Sequence, residues 1–159
     1  FDTRHGGTFN MVIYENTVAY AEHIALVKGD VTSGGPVPVR MHALNVLEDV
    51  LGDTSRGTDG LLQRSMEMIG EMGRGVIVLI REPMPTSLSD RVKAKLGEGD
   101  KSQAQPGGQL RDYGVGAQIL TDLGISEMVL LSNSDKTIVG LDGHGLTITG
   151  RQAIERDGL

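Results

Sequence analysis

QLRDYGVGAQILTDLGISEMVLLSNS, residues 109–134, is the stretch whose reading decides the fold. Tyr113, Ala117, Leu120 and Leu123 recur near helical spacing, which predicts a helix over 111–123 with one apolar face. Gly124 stands where a left-handed residue closes a helix. Ile125 to Leu131 is then a short, branched-rich run of the kind a buried strand requires, and it ends on polar Ser132, Asn133 and Ser134. Helix, tight turn, strand and polar edge belong to an α/β sheet, in which ligands usually sit at the carboxyl ends of the strands.

The segments upstream extend the same layering. Leu61, Leu62, Ser65, Met66, Ile69 and Met72 stripe one face of a helix ending near Gly73, with Asp59 placed to cap its first turn. VIVLI, 76–80, reads as a strand covered on both faces, so these leucines and methionines are core rather than ligand contacts. Gly73-Arg74-Gly75 joins helix to strand, the reverse of the order a dinucleotide fingerprint needs.

Nearer the start, 8–14 and 24–27 read as strands, and VTSGGP (31–36) as a polar turn. Val37, Val39 and Met41 alternate with Pro38, Arg40 and His42, the period of a half-buried strand with a guanidinium and an imidazole on its second face. Pro38 favours an edge or a strand start, and the N-terminal third is expected to be a small antiparallel section.

Leu88, Val92 and Leu96 mark a short amphipathic helix, whereas 97–108 lack periodicity and predict a mobile loop. A short helix over 135–141 and a turn at Gly143-His144-Gly145 lead into a last strand, LTIT. These elements give one domain over 1–150 and a partly ordered tail over 151–159.

At 159 residues the chain is long enough for one real core. A net charge of −6 offers no broad attraction to nucleic acid or to an anionic membrane, although one local phosphate site is still allowed. With no cysteine, disulfides, thiolate metal sites and cysteine nucleophiles are excluded. No apolar run reaches membrane-spanning length and no secretory leader is legible, so the cytoplasm is the default location. FDTRHGGTF opens inside an ordered-looking region, which predicts a domain cut from a longer protein.

RDYGVGAQIL followed by DLGI and a strand ending in SNSDKT resembles the core of GTP cyclohydrolase II, the riboflavin-pathway enzyme that opens the guanine ring of GTP. RHGGTF, HIALVKGD, VPVRMH, GLLQRSMEMIGEMGRGVIVLI and LDGHGLTI resemble that family in the same order, so the likeness spans nearly the whole chain. It implies a GTP cyclohydrolase II-like α/β fold, a mixed β-sheet with flanking helices and an antiparallel N-terminal section. It also implies a homodimer, and fusion to an N-terminal 3,4-dihydroxy-2-butanone 4-phosphate synthase domain. Activity has to be argued from the site itself.

The resemblance implies a zinc held by three cysteines, since a hydrolytic zinc needs three protein ligands and a displaceable water. The matching positions here are Asn45, Gly57 and Asp59, a set that predicts no zinc. A substitute site of His42, Asp49 and Asp59 is the weaker alternative. On the substrate side, REPMPTSL replaces a glutamate-glycine-arginine loop, with Glu82 a loose match and the arginine lost. Gln109 stands for the family's acid-base aspartate and cannot exchange a proton near neutrality. SNSDKT replaces TNNPxK, with Asp135 for the proline and Lys136 one position early.

Arg111 matches the family's nucleophilic arginine on the phosphate side of GTP. With Arg40 and His42 it forms the candidate residual phosphate or nucleotide site, because arginines bind phosphate through paired hydrogen bonds. The structural alternative has Arg111 capping or pairing within the fold, Tyr113 packing, and Gly114 and Gly116 permitting close helix contact.

Three readings follow. The favoured one is a catalytically degenerate domain, with no catalytic residues, cofactor or metal of its own, that supports or regulates the synthase domain of its parent. The others are an enzyme with altered, zinc-independent chemistry, and a nucleotide or phosphate sensor without turnover.

Overall fold

A computed structural model of the chain describes residues 1–17, 21–81, 87–97, 106–134, 141 and 144–155, for 106–113 the backbone alone. Two short strands, β1 (Asp2–Thr3) and β2 (Gly7–Thr8), form a separate antiparallel pair. The main sheet takes β3 (Asn10–Asn16), β4 (Ala21–Lys28), β5 (Val37–Ala43), β6 (Gly75–Ile80), β7 (Glu127–Leu131) and β8 (Thr147–Gln152), in the order β3-β4-β6-β5-β7-β8. The β3–β4 and β4–β6 pairs are antiparallel, and β5–β6, β5–β7 and β7–β8 are parallel. The helices are α1 (Val46–Asp49), α2 (Leu61–Met72), α3 (Ser87–Lys95) and α4 (Pro106–Asp122).

The two-residue period of a strand divides the core into two layers. Val76, Val78 and Ile80 of β6 face one way, with Val39, Met41, Met128 and Leu130, and meet Ala117, Ile119 and Leu120 of α4. Ile77 faces the other way with Leu26 and Leu131, and meets Leu61, Leu62, Met66 and Ile69 of α2. Coverage on both faces is why VIVLI carries no polar residue. Helix α4 closes as expected: Gly124 adopts φ 85°, its N–H reaches the Thr121 carbonyl, and the Ile125 N–H reaches Leu120. Gly73 ends α2 in the same left-handed conformation.

Several expectations need correction. The N-terminal third does hold antiparallel pairs, β1–β2 and β3–β4, but β5 is an interior strand of the main sheet, parallel to both neighbours. Pro38 is tolerated there because pairing with β6 begins one residue later, at Val39. Asp59 is not the cap of α2; Gly60 is, in the left-handed region, with no side-chain hydrogen bond. Helix α4 starts at Pro106, a residue well suited to a first helical turn, so 106–108 are helical rather than loop. Residues 98–105 lie outside the described residues, as do 135–140 of the expected short helix. β8 runs through Gln152, and Ile154 is 4% exposed, so the first part of the expected tail belongs to the core.

Helix α3 forms where its spacing places it, yet it buries no residue, and Leu88, Val92 and Leu96 are exposed. Polar contacts hold it: Arg91 donates to the Leu44 carbonyl at 3.2 Å, and the Lys95 ammonium meets the Asp53 carboxylate at 2.9 Å.

Close approach explains two helical glycines and leaves a third free. A Cβ on Gly116 would stand 2.0 Å from Cε of Met41, and one on Gly70 would meet the Gly6 backbone at 2.5 Å. Gly114 has no atom within 4 Å of such a Cβ, so close packing does not require glycine there. Gly70→Ala is therefore expected to destabilise by about 1–3 kcal/mol through overpacking against backbone. Gly114→Ala is expected to stabilise by about 0.5–1 kcal/mol through helix propensity. Urea unfolding of both variants checks the opposite signs.

Candidate functional site

The site grows from the carboxyl half of β5. Arg40 pairs in register with Ile77 and His42 with Leu79, which sets both side chains on the α2 face of the sheet. Beyond Ala43 the chain turns into α1, capped by Asn45, whose Oδ1 accepts the Leu47 N–H at 3.1 Å. The cap brings Asp49 back beneath the strand end. Its carboxylate takes His42 Nε2 at 2.9 Å and the Asn45 N–H at 2.8 Å, and its carbonyl accepts from Gln63 of α2 at 3.0 Å.

A hydrogen-bond chain results, Arg40 to His42 to Asp49. Arg40 Nη2 lies 3.1 Å from His42 Nδ1, and Nη1 donates to the Leu131 carbonyl at 3.3 Å. A guanidinium only donates, so Nδ1 must be the acceptor and Nε2 must carry the proton given to Asp49. His42 is thereby a neutral bridge between a cation and an anion, with side-chain exposures of 7% for His42 and 2% for Asp49. Both ring nitrogens are engaged, which leaves no lone pair for a metal or for proton abstraction.

The donor set does not fit zinc. Asn45, 7% exposed, spends its side-chain oxygen on the α1 cap. Gly57 has no side chain and sits at φ 69°. Among the described residues no three His, Asp, Glu or Cys side chains are grouped to hold a metal. His42 and Asp49 of the substitute set do meet, but Asp59 does not complete a site with them.

The other motif residues have structural partners. Asn133 clasps the backbone of Ile154 in both directions, accepting its N–H at 2.8 Å and donating to its carbonyl at 3.2 Å. Ser132 accepts the Ser134 N–H at 3.0 Å and donates to the Ser134 carbonyl. Arg74 gathers the carbonyls of Asp30, Ser33, Gly35 and Pro36, and so fastens the 30–36 turn. In that turn hydrogen bonds from the Ser33 and then the Thr32 hydroxyl, with the Thr32 N–H, lower the Asp30 carboxyl to about 2. Arg111 lies on α4, and its side chain, like those of Gln109 and Tyr113, is outside the described residues. Asp49 is the member of the site that sequence reasoning underrated. Its signal is the run from Asn45 to Asp49, a capping residue followed four positions on by a carboxylate.

His23 is a second buried imidazole, 3% exposed, whose Nδ1 accepts the Arg81 N–H at 3.0 Å. Desolvation, reinforced by the Arg81 charge, lowers its pKa below 6.5.

These features define an α/β domain with a buried, metal-incompatible polar chain at the carboxyl end of its central parallel strand. The GTP cyclohydrolase II family model matches residues 1–153, and the chain belongs to that family. It is 37% identical over 157 residues to the riboflavin biosynthesis protein RibBA of Bacillus mycoides, covering 94% of this chain and 40% of that protein. It is 36% identical over 148 residues to the monofunctional riboflavin biosynthesis protein RIBA 2, chloroplastic, of Arabidopsis thaliana, covering 91% and 31%. The crystal structure of RibBX, a two-domain 3,4-dihydroxy-2-butanone 4-phosphate synthase from A. baumannii, superimposes with a TM-score of 0.61 at 25% identity. That match covers 99% of this chain and 38% of RibBX. The chain thus spans well under half the length of these relatives.

Two predictions follow from the geometry. Asp49→Asn replaces an acceptor facing two donors with a group that also donates, and should cost about 1–3 kcal/mol. His42→Phe and Asp49→Asn should be non-additive, with coupling of about 0.5–3 kcal/mol in a denaturation double-mutant cycle. For His23 the sign is that of a base depressed on folding. Its contribution is fully present above pH 6.5 and is lost as pH falls from 6.5 through the lower folded value. His23→Asn, which offers an oxygen acceptor without titrating, should flatten the fall in Tm across that window relative to the parent chain.

Proposed function

We propose that this chain is a non-catalytic GTP cyclohydrolase II-like domain of a cytoplasmic riboflavin-biosynthesis protein. In that reading it supports or regulates a linked 3,4-dihydroxy-2-butanone 4-phosphate synthase domain. One observation supports it: Asn45, which the resemblance aligns with the family's first metal position, is buried and committed to capping α1. Purine ring opening requires an activated water and a proton acceptor for it, and a metal is the usual source of the first. Gly57 and Asp59 do not make a replacement ligand set, and the Gln109 amide cannot take the place of an acid-base carboxylate. The likeness to RibBX, a two-domain 3,4-dihydroxy-2-butanone 4-phosphate synthase, agrees with such a role.

A second reading keeps ligand binding without turnover. Arg40 and His42 stand side by side on one face of β5, at the end of the sheet where α/β proteins bind ligands, and Arg111 lies on a helix packed on the opposite face. Its weakness is that Arg40 is already spent on His42 and Leu131. Two surface hollows, of about 330 and 410 Å³, lie elsewhere: Arg64 and Met68 line the first, Gln118 and His144 the second.

The expected outcomes are no stoichiometric zinc after loading and desalting, and no formate from GTP with zinc and magnesium present. Formate release above a metal-stripped control would overturn the non-catalytic reading. GTP or pyrophosphate raising Tm in proportion to the logarithm of its concentration, and losing that effect in Arg111→Ala, would establish the sensor reading instead.

A further inference from the structure

Helix α3 presents an apolar stripe to water. Leu88 and Val92, with Leu96 on the turn that follows, recur every four residues along one side, and all three are exposed. Arg91 and Lys95, also four apart, lie roughly 80° round the helix from that stripe and tie α3 to the chain beyond β5. Arg91 donates to the Leu44 carbonyl, while Lys95 reaches both Asp53 oxygens and, at 2.9 Å, the Ser55 hydroxyl. Between these two anchor points stands a second apolar group. Val46, Val50 and Leu51 are exposed, the last two at 71%. They share one compact turn, because the Leu51 N–H meets the Val46 carbonyl at 3.1 Å and the Asp53 N–H meets the Leu47 carbonyl at 2.8 Å. Large apolar side chains on two neighbouring segments thus face water with polar contacts bridging them, and a contiguous apolar surface of this kind marks a place built to be covered.

We propose that α3 is a latched strap that rolls about its own axis to seal the turn beyond β5. In the latched position Arg91 and Lys95 face that turn; a roll of roughly a quarter turn sets Leu88, Val92 and Leu96 on Val46, Val50 and Leu51 instead. Each apolar face is then covered by the other. Burial of apolar area favours closing, and the latch opposes it. The latch is a weak sort of contact, since an ion pair at the surface contributes little and is screened by salt. Rolling forfeits no core packing, because α3 buries none of its own residues. Protonation does not work the latch near neutrality: hydrogen bonds from Lys95, then from the Ser55 N–H and hydroxyl, lower the Asp53 carboxyl to about 2. The closed strap lies over the carboxyl end of β5, the end of the sheet at which α/β domains admit ligands, so the Lys95–Asp53 contact governs access to it.

The test uses the absence of cysteine, since a pair introduced by substitution has no other thiol to bond. Disulfides form only where Cα atoms come within about 7 Å. Val50→Cys with Val92→Cys should therefore oxidise within one chain, read as loss of free thiols in a species that stays monomeric on a denaturing, non-reducing gel. Val50→Cys with Ala94→Cys, which stands roughly 160° round the helix from Val92, should bond far more slowly. Adding Lys95→Met to the first pair should speed its bond several-fold. Sodium chloride at about 1 M should do the same while Lys95 is present, and should add nothing once it is gone. All the substituted residues are exposed, so circular dichroism matching the parent separates a missing roll from a missing fold. A Val92 pair that bonds no faster than the Ala94 pair, a rate that Lys95→Met leaves unchanged, or a salt effect that persists without Lys95 each overturns the proposal.

Discussion

The structure depends on burying β6 on both faces at once. A strand with α4 on one side and α2 on the other leaves no position for a charged side chain, and Val76, Ile77 and Val78 are fully buried. Each such side chain contributes about 1.5–3 kcal/mol relative to exposure, and none of that is available until both helices dock. The direction of β6 then sets the rest. Its parallel partner β5 must end at the same edge of the sheet, which delivers Arg40 and His42 to one face and Asn45 to the turn beyond it.

That turn shows how polar groups survive in a nearly dry place. Asp49 is a buried carboxylate, and an isolated charge there would be costly. It receives the His42 ring, the Asn45 N–H and, through His42, the neutralising Arg40 guanidinium. The arrangement ties the end of β5 to α1, and Gln63 ties α1 to α2. Three elements, β5, α1 and α2, are thus joined by hydrogen bonds among uncharged or mutually compensated groups.

Much of the fold was legible because periodicity and punctuation agree. The α4–Gly124–β7 unit has a 3.6-residue stripe, a left-handed glycine and a branched run in succession, so local and global preferences point the same way. The interior place of β5 was not legible, because Pro38 argues for an edge and only the pairing offset, which is a tertiary fact, reconciles it. Asp59 misled for a similar reason: it precedes an apolar stripe as a cap should, but Gly60 takes the capping backbone conformation and no side-chain bond is made. Of the candidate site residues, Arg40 and His42 do sit together, as alternation on one strand required. What spacing could not reveal is that each is the other's partner, because the short return that brings Asp49 beneath His42 depends on a four-residue helix.

The same turn sets what single cysteine substitutions would cost the fold. A cysteine at position 45, where the resemblance implies a metal ligand, would remove the Asn45 cap, at a cost of about 1 kcal/mol. A cysteine at 57 would occupy a left-handed backbone conformation at φ 69°, which costs a non-glycine residue about 1–2 kcal/mol. The His42 ring would still be held between Arg40 and Asp49. Both cysteine substitutions are thus destabilising before any metal is bound, and only a complete ligand set would gain binding energy that could offset the losses. The backbone at this site is shaped around caps and glycine, and that shape limits which side chains it can host without strain.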